Sequence, residues 1–164
     1  MRALTRILVP LALALGAVAA LAGTAAATPG GRPVFVLTDN PGGNQVVAYD
    51  AAADGALRQS GVYSTGGLGG ILTGSVVDHT ASQGALAYDA SHDLLLASNP
   101  GSSTISVFQV NGDKLALTQQ IDSGGTFPVS IAARDGVVYV LNALDGGSIQ
   151  GFRADGQHLF AIAG

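Results

Sequence analysis

The sequence contains no cysteine, no tryptophan and no glutamate, and only 11% of its residues are charged. Without cysteine the chain forms neither disulfides nor thiolate metal sites, and it cannot be anchored through a lipidated N-terminal cysteine. Because glutamate is absent, all eleven acidic residues are aspartates, and they do not cluster. The residues present give no pattern typical of a metal or cofactor site, and we expect neither.

Basic side chains are too few to bind a polyanion. The chain has seven Lys and Arg residues, and two of them, Arg2 and Arg6, belong to an N-terminal segment unlike the rest. Without that segment the formal net charge falls from −4 to −6. Nucleic acids and anionic membranes are bound through clustered Lys or Arg. We therefore expect no nucleic-acid partner.

Residues 1–27 have the features of a secretory signal peptide. Arg2 and Arg6 precede an apolar stretch from Ile7 to Ala22, and three alanines end at Ala27. A basic start, a short apolar stretch and a small-residue end are typical of such signals. The apolar stretch is shorter than the roughly 20 residues that span a bilayer, so we expect no stable membrane insertion. The sequence predicts a secreted, extracellular protein that begins at Thr28.

One pattern occurs three times in the remaining chain. An asparagine closes an apolar run, a turn follows, and a strand rich in β-branched residues ends on an aromatic, with a leucine further on. An Asp-Gly or Asn-Gly pair lies between aromatic and leucine, as tight hairpins favour. The copies comprise, in order, Asn40, Tyr49 and Leu57; Asn99, Phe108 and Leu115; and Asn142, Phe152 and Leu159. Repeats near 45 residues built from short strands are typical of β-propeller blades.

The repeat predicts an all-β fold, a β-propeller of about two and three-quarter four-stranded antiparallel blades in an incomplete ring. Two further strands precede the second asparagine, and two precede the third. The first copy, by contrast, starts at its second strand. We expect a partial propeller over residues 28–164, with blades at 33–65, 84–122 and 129–162 and an insertion loop at 66–83.

An open ring leaves two blade faces uncovered. Four strands of about five residues cover roughly 300 Å², and exposing such an apolar face forgoes up to about 8 kcal/mol. That value rivals the net stability of a domain, about 5–15 kcal/mol. We therefore expect that the chain is a fragment of a longer propeller or that it associates with other copies.

The insertion is the main irregularity of the repeat. The asparagines are separated by 59 residues and then by 43, and the excess falls in 66–83, a glycine-rich segment that we expect to be flexible. Insertions in repeat proteins often serve binding. His79 beside Asp78 is the catalytic candidate there, as a histidine with a nearby carboxylate can act as a general base. The competing interpretation is that both are polar loop residues with no catalytic role.

Asn40, Asn99 and Asn142 are the binding candidates, because all three end apolar strands and should lie on one side of the assembly. They can form a ring of amide donors and acceptors near the channel mouth. Alternatively, each bonds the backbone of its own turn, as asparagines commonly do.

The stretches GTFPVSIAARDGVVYVLNALDGGSIQGF, ending at Phe152, and QGALAYDASHDLLLASNPGSSTISVF, from Gln83 to Phe108, resemble the lactonase-type seven-bladed β-propellers. That family includes 6-phosphogluconolactonase-like and carboxymuconate-cyclase-like proteins and is related to surface repeats with a Tyr-Val-Thr-Asn (YVTN) motif. The resemblance covers Pro33 to Gly164 and implies a seven-bladed ring in which a C-terminal strand completes the first blade. It also implies lactone chemistry by His, Glu and Arg around the channel, a set that this chain does not match.

Two functions remain open at this stage. The first is a secreted scaffold that binds an unknown small molecule or protein, without an identifiable catalytic site. The alternative is a lactonase or cycloisomerase that acts on a sugar or aromatic acid lactone, with most of its site outside this chain.

Overall fold

The computed structural model describes residues 32–76, 80 and 84–163. These residues form eleven strands in three antiparallel sheets, with no α-helix among them. The predicted signal peptide and Ala27–Thr28 lie outside the described residues.

Each sheet is a meander in which strands adjacent in sequence pair with each other. Blade 1 contains β1 (Arg32–Leu37), β2 (Gln45–Ala51) and β3 (Leu57–Ser64). Blade 2 contains β4 (Leu86–Asp89), β5 (Leu94–Asn99), β6 (Thr104–Asn111) and β7 (Lys114–Asp122). Blade 3 contains β8 (Pro128–Arg134), β9 (Val137–Asn142), β10 (Ser148–Asp155) and β11 (His158–Ala161). A 3₁₀ turn, Pro100–Ser102, joins β5 to β6.

This architecture confirms the predicted fold class, an all-β partial propeller. The described part of blade 1 has three strands, and within the described chain β1 pairs only with β2. The 3₁₀ turn was not predicted, because its Pro-Gly-Ser sequence is equally typical of a simple loop.

Two hydrophobic cores join the blades. Between blades 1 and 2, Val46 packs with Leu95, Ala97, Phe108 and Leu115. A larger core between blades 2 and 3 contains Leu94, Leu96, Ile105, Val107, Ile131, Val138, Val140, Phe152, Ala154 and Leu159. Because neighbouring strand residues point to opposite faces, Leu95 contacts blade 1 while Leu96 contacts blade 3. The unbroken apolar run of β5 follows from this burial on both faces.

Each blade therefore has two faces, which are defined by strand register. The rear face points toward the preceding blade, and the front face points toward the following one. Rear-face positions, in blade order, are Val34, Leu95 and Val138; Val36, Ala97 and Val140; Tyr49, Phe108 and Phe152; and Leu57, Leu115 and Leu159. Front-face positions are Phe35, Leu96 and Tyr139; Leu37, Ser98 and Leu141; and Val46, Ile105 and Ile149. The repeated aromatic and leucine of the sequence thus both lie on the rear face.

Candidate functional site

The connections on one side of the blades form a continuous loop face. It comprises residues 38–44, 65–70, 100–103, 123–127 and 143–147. Backbone hydrogen bonds link these loops across the blades: the Asn44 N–H donates to the Gly67 carbonyl, and the Gly101 N–H donates to the Leu68 carbonyl. The three predicted asparagines all lie on or beside this face.

Two of these asparagines are buried and one is exposed. Asn99 and Asn142 are fully buried at the ends of β5 and β9, whereas Asn40 is exposed and its Oδ1 accepts from the Gly42 N–H at 2.9 Å. Asn40 therefore bonds its own turn. The other two make contacts that neither interpretation describes.

Asn99 belongs to a buried polar network between blades 1 and 2. Its Nδ2 donates to Ser106 Oγ at 2.8 Å, and its Oδ1 accepts from Asn44 Nδ2 at 3.1 Å. Ser106 Oγ in turn donates to the Thr65 carbonyl at 2.7 Å. The nitrogen and the oxygen of the Asn99 side chain are both hydrogen-bonded, so Asn99 holds the two blades in one arrangement at their junction.

Asn142 contacts the connection that enters blade 3. Its Nδ2 donates to the Ser123 carbonyl and to Ser148 Oγ, both at 3.2 Å. Its Oδ1 is buried and has no protein partner among the described residues. An amide oxygen in this position is able to accept one hydrogen bond.

The alignment of Asn40 with Asn99 and Asn142 is wrong. Each aromatic pairs with a residue of the preceding strand, and Asn99 and Asn142 follow that residue by the same number of positions. In blade 1 the residue at this position is Thr38. The first loop is two residues longer than the second, and this difference shifts the asparagine away from the strand end.

Sequence reasoning missed Asn44, which is fully buried. Its Nδ2 donates to the Ser98 carbonyl at 3.0 Å, and its Oδ1 accepts from Thr38 Oγ1 and from the Gln45 N–H. The available signal was a polar residue placed between a Pro-Gly-Gly turn and an apolar strand. That signal does not distinguish a buried amide from an ordinary turn residue.

The first part of the insertion is held against both blades instead of being loose. The Leu68 N–H donates to Ser102 Oγ at 3.1 Å, and the Gly69 N–H donates to the Asn40 carbonyl at 2.9 Å. A β-carbon on Gly69 would overlap the Asp39 carbonyl group. The glycine run therefore permits close backbone approach, which corrects the expectation of a flexible segment.

Asp39 joins the insertion to blade 1. It is 9% exposed and has a left-handed backbone conformation, with φ near 50°. Its Oδ1 accepts from the Gly70 N–H at 3.0 Å, and its Oδ2 accepts from Thr80 Oγ1 at 2.8 Å. Both carboxylate oxygens are thus oriented by donors from the insertion.

Asp39 and Thr80 also line a cavity of about 290 Å³, here called the inner cleft. The other described residues that line it are Phe35, Val36 and Leu37 of β1 and Gly84, Ala85 and Leu86 at the start of β4. The inner cleft combines apolar walls with one carboxylate and one hydroxyl, a composition typical of small-molecule sites.

The predicted catalytic pair, Asp78 and His79, lies outside the described residues. The neighbouring described residue, Thr80, is buried and contacts Asp39.

A serine, a histidine and an aspartate meet on the opposite side of the blades. His92 Nδ1 lies 3.0 Å from Asp89 Oδ2 and 2.8 Å from Ser91 Oγ. A hydrolase triad needs the serine at Nε2 and the aspartate at Nδ1. Because both partners here share Nδ1, and the Ser91 hydroxyl also donates to Asp89 Oδ1 at 2.7 Å, the cluster does not have the triad arrangement.

This cluster connects blades 2 and 3. Asp89 is 2% exposed, and its Oδ2 accepts from the Gly136 N–H of the β8–β9 turn at 3.0 Å. Burial opposes ionisation of the carboxyl, but hydrogen bonds from Ser91, His92 and Gly136 outweigh it and lower the pKa of Asp89 below its ordinary value. Asp89 is thus held as a carboxylate that accepts hydrogen bonds from both blades.

The described residues include no group of three or more His or Asp side chains placed to hold a metal ion. None of their helices is long and apolar enough to cross a membrane.

Comparisons with known proteins identify the architecture independently. A family profile described as "Lactonase, 7-bladed beta-propeller" matches residues 25–158. A crystal structure of a protein from Lactobacillus plantarum superimposes with a TM-score of 0.58 at 23% identity, over 80% of this chain and 40% of that chain. This likeness supports the fold alone, and the chain spans two fifths of that protein's length. No curated protein matches the sequence.

Proposed function

Because the chain belongs to the seven-bladed β-propeller lactonase family, we propose that it is a ligand-binding scaffold and that a small, neutral, hydroxylated molecule binds in its inner cleft. The observation that carries this proposal is the buried Asp39 carboxylate beside apolar walls. A cavity of about 290 Å³ lies at the lower limit of ligand pockets, roughly 300 Å³, so the ligand is small.

The charge of the inner cleft favours one class of ligand. Carboxylate oxygens such as those of Asp39 accept hydrogen bonds from hydroxyl groups, whereas an anionic ligand needs cationic partners. The described lining residues include no Lys, Arg or His. A sugar or a closed lactone therefore fits better than a free sugar acid, which carries a carboxylate of its own.

Titration with glucono-1,5-lactone, glucose and gluconate, followed by NMR, tests the proposal. We expect the resonances of Leu37 and Leu86 to shift with the two neutral compounds and not with gluconate. D39N should weaken binding at least tenfold, because the amide nitrogen of asparagine donates a hydrogen bond where the carboxylate oxygen accepts one. D145N is the matched control, since Asp145 is an exposed loop-face aspartate that also has a positive φ. Equal binding by D39N, or no shift with either neutral compound, would contradict the proposal.

The second candidate function is lactone hydrolysis, the activity after which the matched family is named. It requires water addition at the lactone carbonyl by an acid and a base, and His79 is the candidate base. Turnover of glucono-1,5-lactone above the spontaneous rate, lost in H79A and retained in H158A, would support the enzyme over the scaffold. His158 is an exposed residue at the start of β11 and serves as the control.

We also propose that the protein is secreted after removal of residues 1–27. The basic start, the short apolar stretch and the alanines ending at Ala27 support this proposal. Mass spectrometry of the exported protein should give an N-terminus at Thr28. Protein that remains in the cell with an intact Met1 would contradict it.

A further inference from the structure

The junction between blades 2 and 3 repeats the junction between blades 1 and 2 in most of its parts. Asn142 takes the place of Asn99, and both side chains are fully buried. A glycine of the connection from the preceding blade lies directly against each amide, because a β-carbon on Gly125 would overlap Asn142 and one on Gly67 would overlap Asn99. Backbone therefore covers the amide in the same way at both junctions.

The hydrogen bonds of Asn142 fix the orientation of its amide. Its Nδ2 lies 3.2 Å from the Ser123 carbonyl oxygen, which can only accept, so the nitrogen has to face that carbonyl. The amide oxygen Oδ1 occupies the other position, where it is buried and has no protein partner among the described residues. A buried acceptor without a donor is costly to stability, so this position calls for a donor.

At the first junction Asn44 supplies that donor. Its Nδ2 donates to Asn99 Oδ1 at 3.1 Å and also to the Ser98 carbonyl at 3.0 Å. A single NH₂ group thus satisfies two acceptors of blade 2 and uses both of its hydrogens.

The residue that corresponds to Asn44 at the second junction is Ser103. The Ser123 N–H donates to the Ser103 carbonyl at 2.9 Å, as the Thr65 N–H donates to the Asn44 carbonyl at 3.0 Å. The serine side chain is shorter and has one hydrogen to donate, and its Oγ accepts from the Phe127 N–H at 3.3 Å. Ser103 therefore cannot supply both hydrogen bonds that Asn44 supplies.

From this difference we infer that one buried water molecule binds between Ser103 and Asn142 and replaces the NH₂ group of Asn44, which is of similar size. Its two O–H groups donate to Asn142 Oδ1 and to the carbonyl of Leu141, the residue in register with Ser98. Its oxygen accepts from the Ser103 hydroxyl. Three hydrogen bonds to buried polar groups are typical of a structural water. The inference is independent of the ligand in the inner cleft.

High-resolution crystal structures of the unmodified protein and of two exchange variants test the inference. The unmodified protein should show a water within roughly 2.7–3.2 Å of Asn142 Oδ1. S103N should displace this water, because the new side chain brings its own NH₂ group. N44S should create the matching water beside Asn99 Oδ1. S103N should fold, since Ser103 has φ near 53°, a conformation that asparagine tolerates well.

Other results would overturn the inference. In the unmodified protein, a protein donor at Asn142 Oδ1, or no water within hydrogen-bond distance of it, would exclude the site. A water that persists beside Asn142 in S103N would show that Ser103 does not define the site. S64N is the matched control, because Ser64 is exposed at the end of β3, and the water beside Asn142 should remain. If an exchange variant fails to fold, the structure of the unmodified protein still decides.

Discussion

Side-chain amides stabilise the junction between blades 1 and 2 from within. Asn99 and Asn44 are fully buried and share a hydrogen bond, and each has further partners in the surrounding strands. A buried polar group that is fully satisfied contributes modestly, but the loss of one partner exposes the desolvation cost of the other. The stability of this junction therefore depends more on which polar groups are paired than on the number of hydrogen bonds.

We expect N99A to lower the free energy of unfolding by about 2–3 kcal/mol, because Asn44 Nδ2 and Ser106 lose a buried partner. N40A should lower it by less than about 1 kcal/mol, since the Asn40 side chain is exposed and accepts one hydrogen bond, from the Gly42 N–H. Urea unfolding of both variants checks the difference. Equal losses would mean that the amide network does not stabilise the junction.

Asp89 connects two blades through its ionised form. Its lowered folded pKa means that its contribution is present above about pH 4, the ordinary pKa of an aspartate. The contribution is lost as the pH falls through the lowered value.

The stability difference between the unmodified protein and D89N should accordingly be largest near pH 7 and shrink below about pH 4, because a protonated aspartate resembles asparagine. Urea unfolding between pH 3 and pH 7 measures this difference. D155N, at an exposed position, is the control variant. A difference that is constant with pH would contradict the assignment.

At the scale of elements, the 66–70 segment acts as a brace over the loop face. It is joined to blade 1 through Asn40 and Asp39 and to blade 2 through Gly101 and Ser102. Its conformation depends on glycines because the chain passes directly over other backbone, where no side chain fits.

G69A should therefore separate this brace from blade 1 and lower the free energy of unfolding by about 2 kcal/mol or more, as overpacking of a tight contact does. G42A is the control, because a β-carbon there meets only the Asn40 side chain at 3.4 Å. Hydrogen exchange of the Gly70 N–H, which donates to Asp39, should accelerate in G69A. Unchanged exchange would show that the loop tolerates the added methyl group.

At the scale of the whole molecule, the two ends of the arc differ from its centre. The same aromatic position is fully buried at Phe108 and 1% exposed at Phe152, but it is only half-buried at Tyr49. The stability of each blade thus depends on the blade before it, as in other repeat proteins.

F152A should lower the free energy of unfolding by about 3–5 kcal/mol, because it leaves a cavity between blades 2 and 3. Y49A should cost about half as much, because Tyr49 is only half-buried and its loss leaves a smaller cavity. Thermal unfolding of the two variants provides the comparison. Equal costs would mean that Tyr49 is packed as tightly as Phe152.

The sequence by itself determined the blade. Short strands rich in β-branched residues, Asp-Gly and Asn-Gly turns and the spacing of the aromatic and leucine positions are local properties, because each depends on residues within one repeat. The fold class and the strand pairs Thr104–Asn111 with Lys114–Asp122 and Ser148–Asp155 with His158–Ala161 follow from them.

Only the tertiary structure decided which polar residues meet. Thr38, not Asn40, is in register with Asn99, because loop length shifts sequence spacing without shifting strand pairing. The contacts of Asn44 with Asn99 and of Asp39 with Thr80 join residues 55 and 41 positions apart. Such contacts depend on how blades pack and how the insertion crosses them. The scarcity of charge and the missing cysteines restricted the chemistry in advance, but the packing of the loop face placed the carboxylate of Asp39 beside the inner cleft.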